Sequence, residues 1–313
     1  MNKSIVKKIL SVGLCVVLGT TMVFSTSCAI GPRAYQERAE EARSALSKAS
    51  GEKQLTSFGD LNLSAESKKD IEDAIKKITD SGRMVSFISV DLMTDKGIAY
   101  NPDQKTTSQS TIKGPYLASA LDEDATRFNE ENLNDFKQTI TVSSGPCYEK
   151  LRTKFGSDCL LKWCRELSIS DTYVDRIYPR NITARDMAKI WTKMYEFLNT
   201  HDDLNEFVSY FTGTKFSAIY HELGNEYKIQ SKPGWENGTG VDALSDVPRY
   251  DVDAKFLDGD PTNDEVATND AGIVYSGDKP YILVIFTNCS SDYARLQPLV
   301  RAIDNAHTEE IGK

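Results

Sequence analysis

The 313-residue chain is 40% hydrophobic, 27% charged and 9% aromatic, a make-up that fits a soluble globular protein of one large or two small domains and excludes a disordered chain, a collagen-like repeat and a polytopic membrane protein. Its 37 basic and 46 acidic side chains give a net charge of −9, with no basic stripe to track a phosphate backbone, so nucleic acid is not an expected partner. His201, His221 and His307 stand far apart and out of ligand spacing with any cysteine, which argues against a metal site and a Ser-His-Asp triad.

Lys3, Lys7 and Lys8 precede an uncharged run, Ile9 to Phe24, followed by Ser25-Thr26-Ser27-Cys28. A basic head, 16 residues without charge and a small-residue exit predict a secretory signal peptide over 1–27. The run is short of the about 20 apolar residues that span a bilayer. Cys28 after small residues resembles the lipidation motif of bacterial lipoproteins, although Ser25 stands where that motif usually has Leu. The resemblance implies a lipid anchor at Cys28 and a location on the outer face of a bacterial cytoplasmic membrane, with plain secretion as the alternative. Loss of 1–27 leaves 34 basic against 46 acidic side chains. Anionic head groups repel so acidic a chain, so any membrane attachment is expected through the lipid alone.

Residues 28–60 are polar and Ala/Glu/Arg-rich at their start (Tyr35 to Arg43) and read as a tether, with the domain proper over 61–313. Ser64 is placed to cap a helix in which Ile71, Ala74, Ile75 and Ile78 share a face. Gly82 closes it. Val85 to Leu92 alternates apolar and polar residues as a half-buried strand does, and Thr94-Asp95-Lys96-Gly97 turns it back into Ile98-Ala99-Tyr100. The middle, about 110–211, is predicted to be mainly helical. Strands return at 227–231, 271–275 and 281–287, and Asp292 to His307 forms a closing helix. The order predicts an α+β fold, one antiparallel sheet flanked by helices. Cys147, Cys159, Cys164 and Cys289 are even in number, which in an exported protein permits disulfides as well as buried thiols.

Gln109-Ser110-Thr111-Ile112-Lys113 opens a helix after the hairpin. Residues three apart on a helix share a face, so the Lys113 ammonium can reach the Ser110 hydroxyl. A serine needs a nearby base to become a nucleophile, and a desolvated lysine beside another cation can lose its proton and serve. About 30 residues on, Ser143-Ser144-Gly145 presents a second serine at a turn, and Ser231-Lys232-Pro233-Gly234-Trp235 ends a strand with two strands and a helix behind it. In this order, the three segments resemble the S-x-x-K, S-x-N and K-T/S-G motifs of the penicillin-recognising serine hydrolases, which include class A β-lactamases, penicillin-binding proteins and D-alanyl-D-alanine peptidases. Thr183-Ala184-Arg185-Asp186-Met187-Ala188 is similar to the helix start downstream of that family's Ω-loop.

The resemblance implies the nucleophile at Ser110, its base at Lys113, the proton relay at Ser143 and a tuning cation at Lys232. It also implies an oxyanion hole from the N–H groups of Ser110 and Trp235, with Gly234 allowing close approach. No cofactor is implied. The expected partner is a β-lactam or a peptidoglycan-type acyl substrate. Three departures bear on function. Gly145 replaces the asparagine of the second motif, and Pro233 replaces the hydroxyl residue of the third. Each loss removes a polar contact worth on the order of 1–3 kcal/mol. Between Asp175-Arg176 and Thr183 there is no Glu-x-x-Leu-Asn, whose glutamate activates the deacylating water in class A enzymes, and Glu166 does not fit that motif. The expectation is an exported acyl-serine hydrolase that acylates on Ser110 and deacylates slowly. A β-lactamase with another deacylation route and a non-catalytic cell-envelope binding protein are the alternatives.

Overall fold

Period-two alternation along the central strands sets the layering. The computed structural model describes residues 31–170, 177–236, 266–289 and 293–311, and the signal segment with Cys28, the pair Asp175-Arg176 and Asp292 lie outside them. The strands are β1 (Leu55–Phe58), β2 (Val85–Asp91), β3 (Gly97–Tyr100), β4 (Lys228–Glu236), β5 (Ala267–Ser276) and β6 (Lys279–Thr287). They form one antiparallel sheet in the order β1-β3-β2-β6-β5-β4. Ile88, Val90, Ile282, Val284 and Phe286 face one core, and Val85, Phe87, Tyr281, Leu283 and Ile285 face the other.

The first core is closed by α1 (Pro32–Lys48), α3 (Lys113–Glu123), α4 (Leu133–Thr141), α5 (Gly145–Phe155), α6 (Asp158–Glu166), α7 (Ala184–Thr200) and α8 (Asn205–Ser209). The second is closed by α2 (Ala65–Thr79), α9 (Ala218–Leu223) and α10 (Gln297–Ala306). Helices on both faces explain why β2 is buried at every residue rather than half-buried as its alternation suggests. The fold is the expected α+β sheet flanked by helices with a mainly helical middle.

Local signals act as read. Ser64 Oγ accepts from the Ser67 N–H and starts α2, whose Ile71, Ile75 and Ile78 are buried at about 1.5–3 kcal/mol each. The closing helix starts later than expected, at Gln297, after a single tight turn at Tyr293–Arg295. Cys147, Cys159, Cys164 and Cys289 are free thiols, all but Cys147 buried.

The expected tether is instead part of the domain. Ala39, Ala42, Ala45 and Leu46 are buried along α1, and the Tyr35 ring meets Tyr195 of α7 edge-on at 5.4 Å. Arg185 of α7 donates to the carbonyls of Leu46 and Ala49 and pairs with Asp103, closing the C-terminal end of α1. β1 then pairs with β3, so the domain begins well before residue 61. Alanines make the apolar stripe narrow. Small side chains let α1 lie close on α7.

Candidate active site

Ser110 occupies a tight turn, Gln109–Ile112, that runs directly into α3 at Lys113. Both the N–H and the hydroxyl of Thr111 donate to the Ser108 carbonyl, at 3.2 and 2.6 Å, and close the turn. Gln109 holds φ +45°, a left-handed conformation costing about 1–3 kcal/mol in a non-glycine residue. Outside contacts sustain it. Asn269 of β5 donates its side-chain N–H to the Thr107 carbonyl at 2.8 Å, and Ser108 N–H donates to the Pro179 carbonyl at 2.9 Å.

Lys113 is buried, and its Nζ donates to the backbone carbonyl of Ser143 at 2.6 Å. Burial lowers its pKa to about 8 against smaller opposing effects of Glu149 and Cys147. The neutral fraction near neutral pH is therefore far above that of a free lysine, although the ammonium form still predominates. Among the described residues Lys113 makes no hydrogen bond to Ser110, in keeping with catalytic contacts that tighten only around substrate. Ser143 lies between α4 and α5 at φ +60°, with Ser144 capping α5 through the Cys147 N–H. Its hydroxyl accepts from Lys232 Nζ at 2.8 Å, and Lys232 also donates to the Pro233 carbonyl at 2.9 Å. Burial first, then the nearby Lys113 charge, push the Lys232 pKa well down, and Asp270 opposes them. Lys113 and Lys232, from separate segments, are thus both bonded to Ser143, with Ser110 in the turn that leads into Lys113.

β4 is the edge strand beside this group. Ser231 N–H points away from β5, to the Phe211 carbonyl. Backbone groups alternate sides along a strand, so residue 233 and the Trp235 N–H also face the free edge. Pro233 thus costs the ladder no bond, and the Trp235 N–H lies on the same side of the strand as that of Ser231. A Cβ on Gly234 would lie 2.6 Å from the N atoms of Ser110 and Thr111. Only glycine lets the strand approach the nucleophile's turn so closely.

Two buried side chains escaped the sequence reading. Asn269 braces the nucleophile's turn from β5 and also accepts from the Thr287 N–H at 3.1 Å. Asp270, paired with Pro233 across the ladder, accepts from Ser217 Oγ, Ile219 N–H and Ala271 N–H at 2.7–3.0 Å. Burial raises its pKa to about 6 despite those donors and the Lys232 charge. Their only sequence signal was polar residues inside an apolar strand, Thr268-Asn269-Asp270. Glu166 pairs with Lys193 at 3.2 Å, on α6, and takes no part in this group.

An edge strand laid against a serine-bearing turn, with two desolvated lysines and a bridging serine, defines a β-lactamase-like serine hydrolase. Residues 132–310, more than half of the chain, match the model of the Beta-lactamase enzyme family, and the chain belongs to that family. The matched span includes Ser143 and Lys232 and begins after Ser110. The TLA-3 extended-spectrum β-lactamase structure superposes with a TM-score of 0.57 at 12% identity, covering 77% of this chain and 98% of that one. A β-lactamase from Streptosporangium roseum gives 0.54 at 15% identity, covering 78% and 99%. At these identities the likeness is one of fold. No curated protein matches the sequence.

Proposed function

We propose that this protein is an exported acyl-serine hydrolase, tethered by a lipid at Cys28, that forms an acyl-enzyme on Ser110 and releases it slowly. The observation that carries the reading is the buried Lys113 with its pKa at about 8, one helical turn from Ser110 and bonded to the Ser143 backbone. Neutral Lys113 takes the Ser110 hydroxyl proton as Oγ bonds to the substrate carbonyl carbon. The oxygen gains negative charge between the N–H groups of Ser110 and Trp235. As the tetrahedral adduct collapses, the C–N bond breaks, Ser143 passes its proton to the leaving nitrogen, and the Lys113 ammonium returns a proton to Ser143, so that both end as they began. Lys232 keeps Ser143 oriented and attracts an anionic substrate.

Water must then attack the acyl-Ser110 ester. Among the described residues no carboxylate hydrogen-bonds to Lys113 or Ser143, which supports slow release. The similar structures are described as β-lactamases, so a β-lactam is the first acyl substrate to test. Intact-mass spectrometry after incubation with penicillin or a fluorophosphonate should show one covalent adduct on the wild type and none on Ser110→Ala or Lys113→Ala. A wild type that reacts with neither probe would instead support a binding protein on this fold.

A further inference from the structure

Position 145 has no side chain, and the Tyr178 hydroxyl stands beside it. A Cβ built there would lie 3.4 Å from the hydroxyl of Tyr178. Tyr178 comes from the segment that leads into α7, held by the bond from Tyr148 Oη to the Ile177 carbonyl at 3.1 Å and by that from Ser108 N–H to the Pro179 carbonyl. Its ring packs at 5.8 Å from that of Tyr148, and Lys113 Nζ lies 5.5 and 5.6 Å from the centroids of Tyr178 and Tyr148. The Tyr178 hydroxyl, on a half-buried side chain, makes no hydrogen bond with a described residue. The Tyr178 hydroxyl is not among the buried polar atoms that lack a partner, so beside Lys113 it stays within reach of solvent and of a bound substrate.

We propose that Tyr178 is a substrate-contacting residue whose hydroxyl donates a hydrogen bond to a carbonyl on the acyl side of the substrate. The inference rests on the acyl-serine reading. Once the scissile oxygen lies between the N–H groups of Ser110 and Trp235, and the leaving nitrogen faces Ser143, two of the three directions around the carbonyl carbon are taken. The acyl substituent must leave through the third, past Gly145 and the Tyr178 hydroxyl. Burial, then the charges of Glu149 and Glu236, raise the Tyr178 pKa to about 12, so the hydroxyl keeps its proton and remains a donor. The substrate class follows: an acyl group carrying an amide or other carbonyl close to the scissile bond.

The test compares acylation rates of two probes on full-length protein by intact mass. One is a benzylpenicillin, with an acyl-side amide. The other is an alkyl fluorophosphonate, which has none. Tyr178→Phe keeps the ring and removes only the hydroxyl. The ratio of the penicillin rate to the fluorophosphonate rate should fall about tenfold, the effect of one hydrogen bond. Tyr178→Ala combined with Gly145→Asn, which offers a side-chain amide in the vacated space, should recover most of that ratio. An unchanged ratio in Tyr178→Phe, with both probes still adding to Ser110, would overturn the role of Tyr178 and leave the acyl-serine reading intact. Failure of the wild type to react with either probe would overturn both.

Discussion

Lys232 Nζ donates to Ser143 Oγ across 2.8 Å, and this bond determines what Ser143 can do. With a lone pair engaged by an N–H of Lys232, the Ser143 proton is turned away from Lys232 and toward the position of a leaving nitrogen. Ser143→Ala should therefore slow penicillin acylation by roughly 10²–10⁴-fold, the usual contribution of a positioned proton donor. Fluoride needs no proton to depart, so a fluorophosphonate should lose much less. Equal losses with both probes would mean that Ser143 acts only by supporting the fold.

The pH profile tests Lys113 directly. Its folded pKa of about 8 lies below the ordinary 10.5, with burial as the main cause. Below pH 8 the ammonium form dominates and cannot accept the Ser110 proton. Acylation should rise with pH, tenfold per unit well below 8, and level off above it. Rates of adduct formation between pH 6 and 9 would show this, and a flat profile would remove Lys113 from the role of base.

The three motifs were legible because each is a short local pattern whose spacing already places its side chains on one turn or strand. Ser110 with Lys113 needed only helical periodicity, and Lys232 with Gly234 only a strand. Asn269, Asp270 and Tyr178 were not legible, since each acquires its place through a neighbour more than 30 residues away in the chain: Thr107, Ser217 and Gly145. The same holds for α1. Its alanines look like a solvated helix until α7 and Arg185 are set against them.

That correction has a consequence for stability. A chain beginning at residue 50 loses the buried faces of Ala39, Ala42, Ala45 and Leu46 and leaves α7 uncovered. At about 25 cal/mol per Å² the loss is on the order of 3–5 kcal/mol, or roughly 10 °C in melting temperature for a domain of this size. Circular-dichroism melts of chains beginning at 31 and 50 would reveal it. Identical melts would return this segment to the role of a tether.

Attachment at Cys28 is testable in cells. Metabolic labelling with a fatty-acid analogue should tag the wild type and not Cys28→Ala, and the variant should pass from the membrane fraction into the medium or periplasm. Equal labelling of the two would end the lipid-anchor proposal, while leaving export itself to be judged from the variant's location.

Deacylation separates an efficient β-lactamase from a slow acyl enzyme. A positioned base contributes roughly 10²–10⁴-fold to attack by water, and Glu166, the glutamate nearest in sequence to the expected loop, is engaged by Lys193 instead. Tyr178, whose pKa of about 12 keeps it protonated, is a poor base for water. With release slower than acylation, a chromogenic cephalosporin should give a burst close to one equivalent, followed by low turnover, and mass spectra taken during that slow phase should show acyl-Ser110 as the main species. Among the described residues, Lys113 is placed to serve both half-reactions. If it does so well, the burst disappears and steady hydrolysis is fast from the first turnover, lost in Ser110→Ala. That result would overturn slow release while leaving Ser110 as the nucleophile.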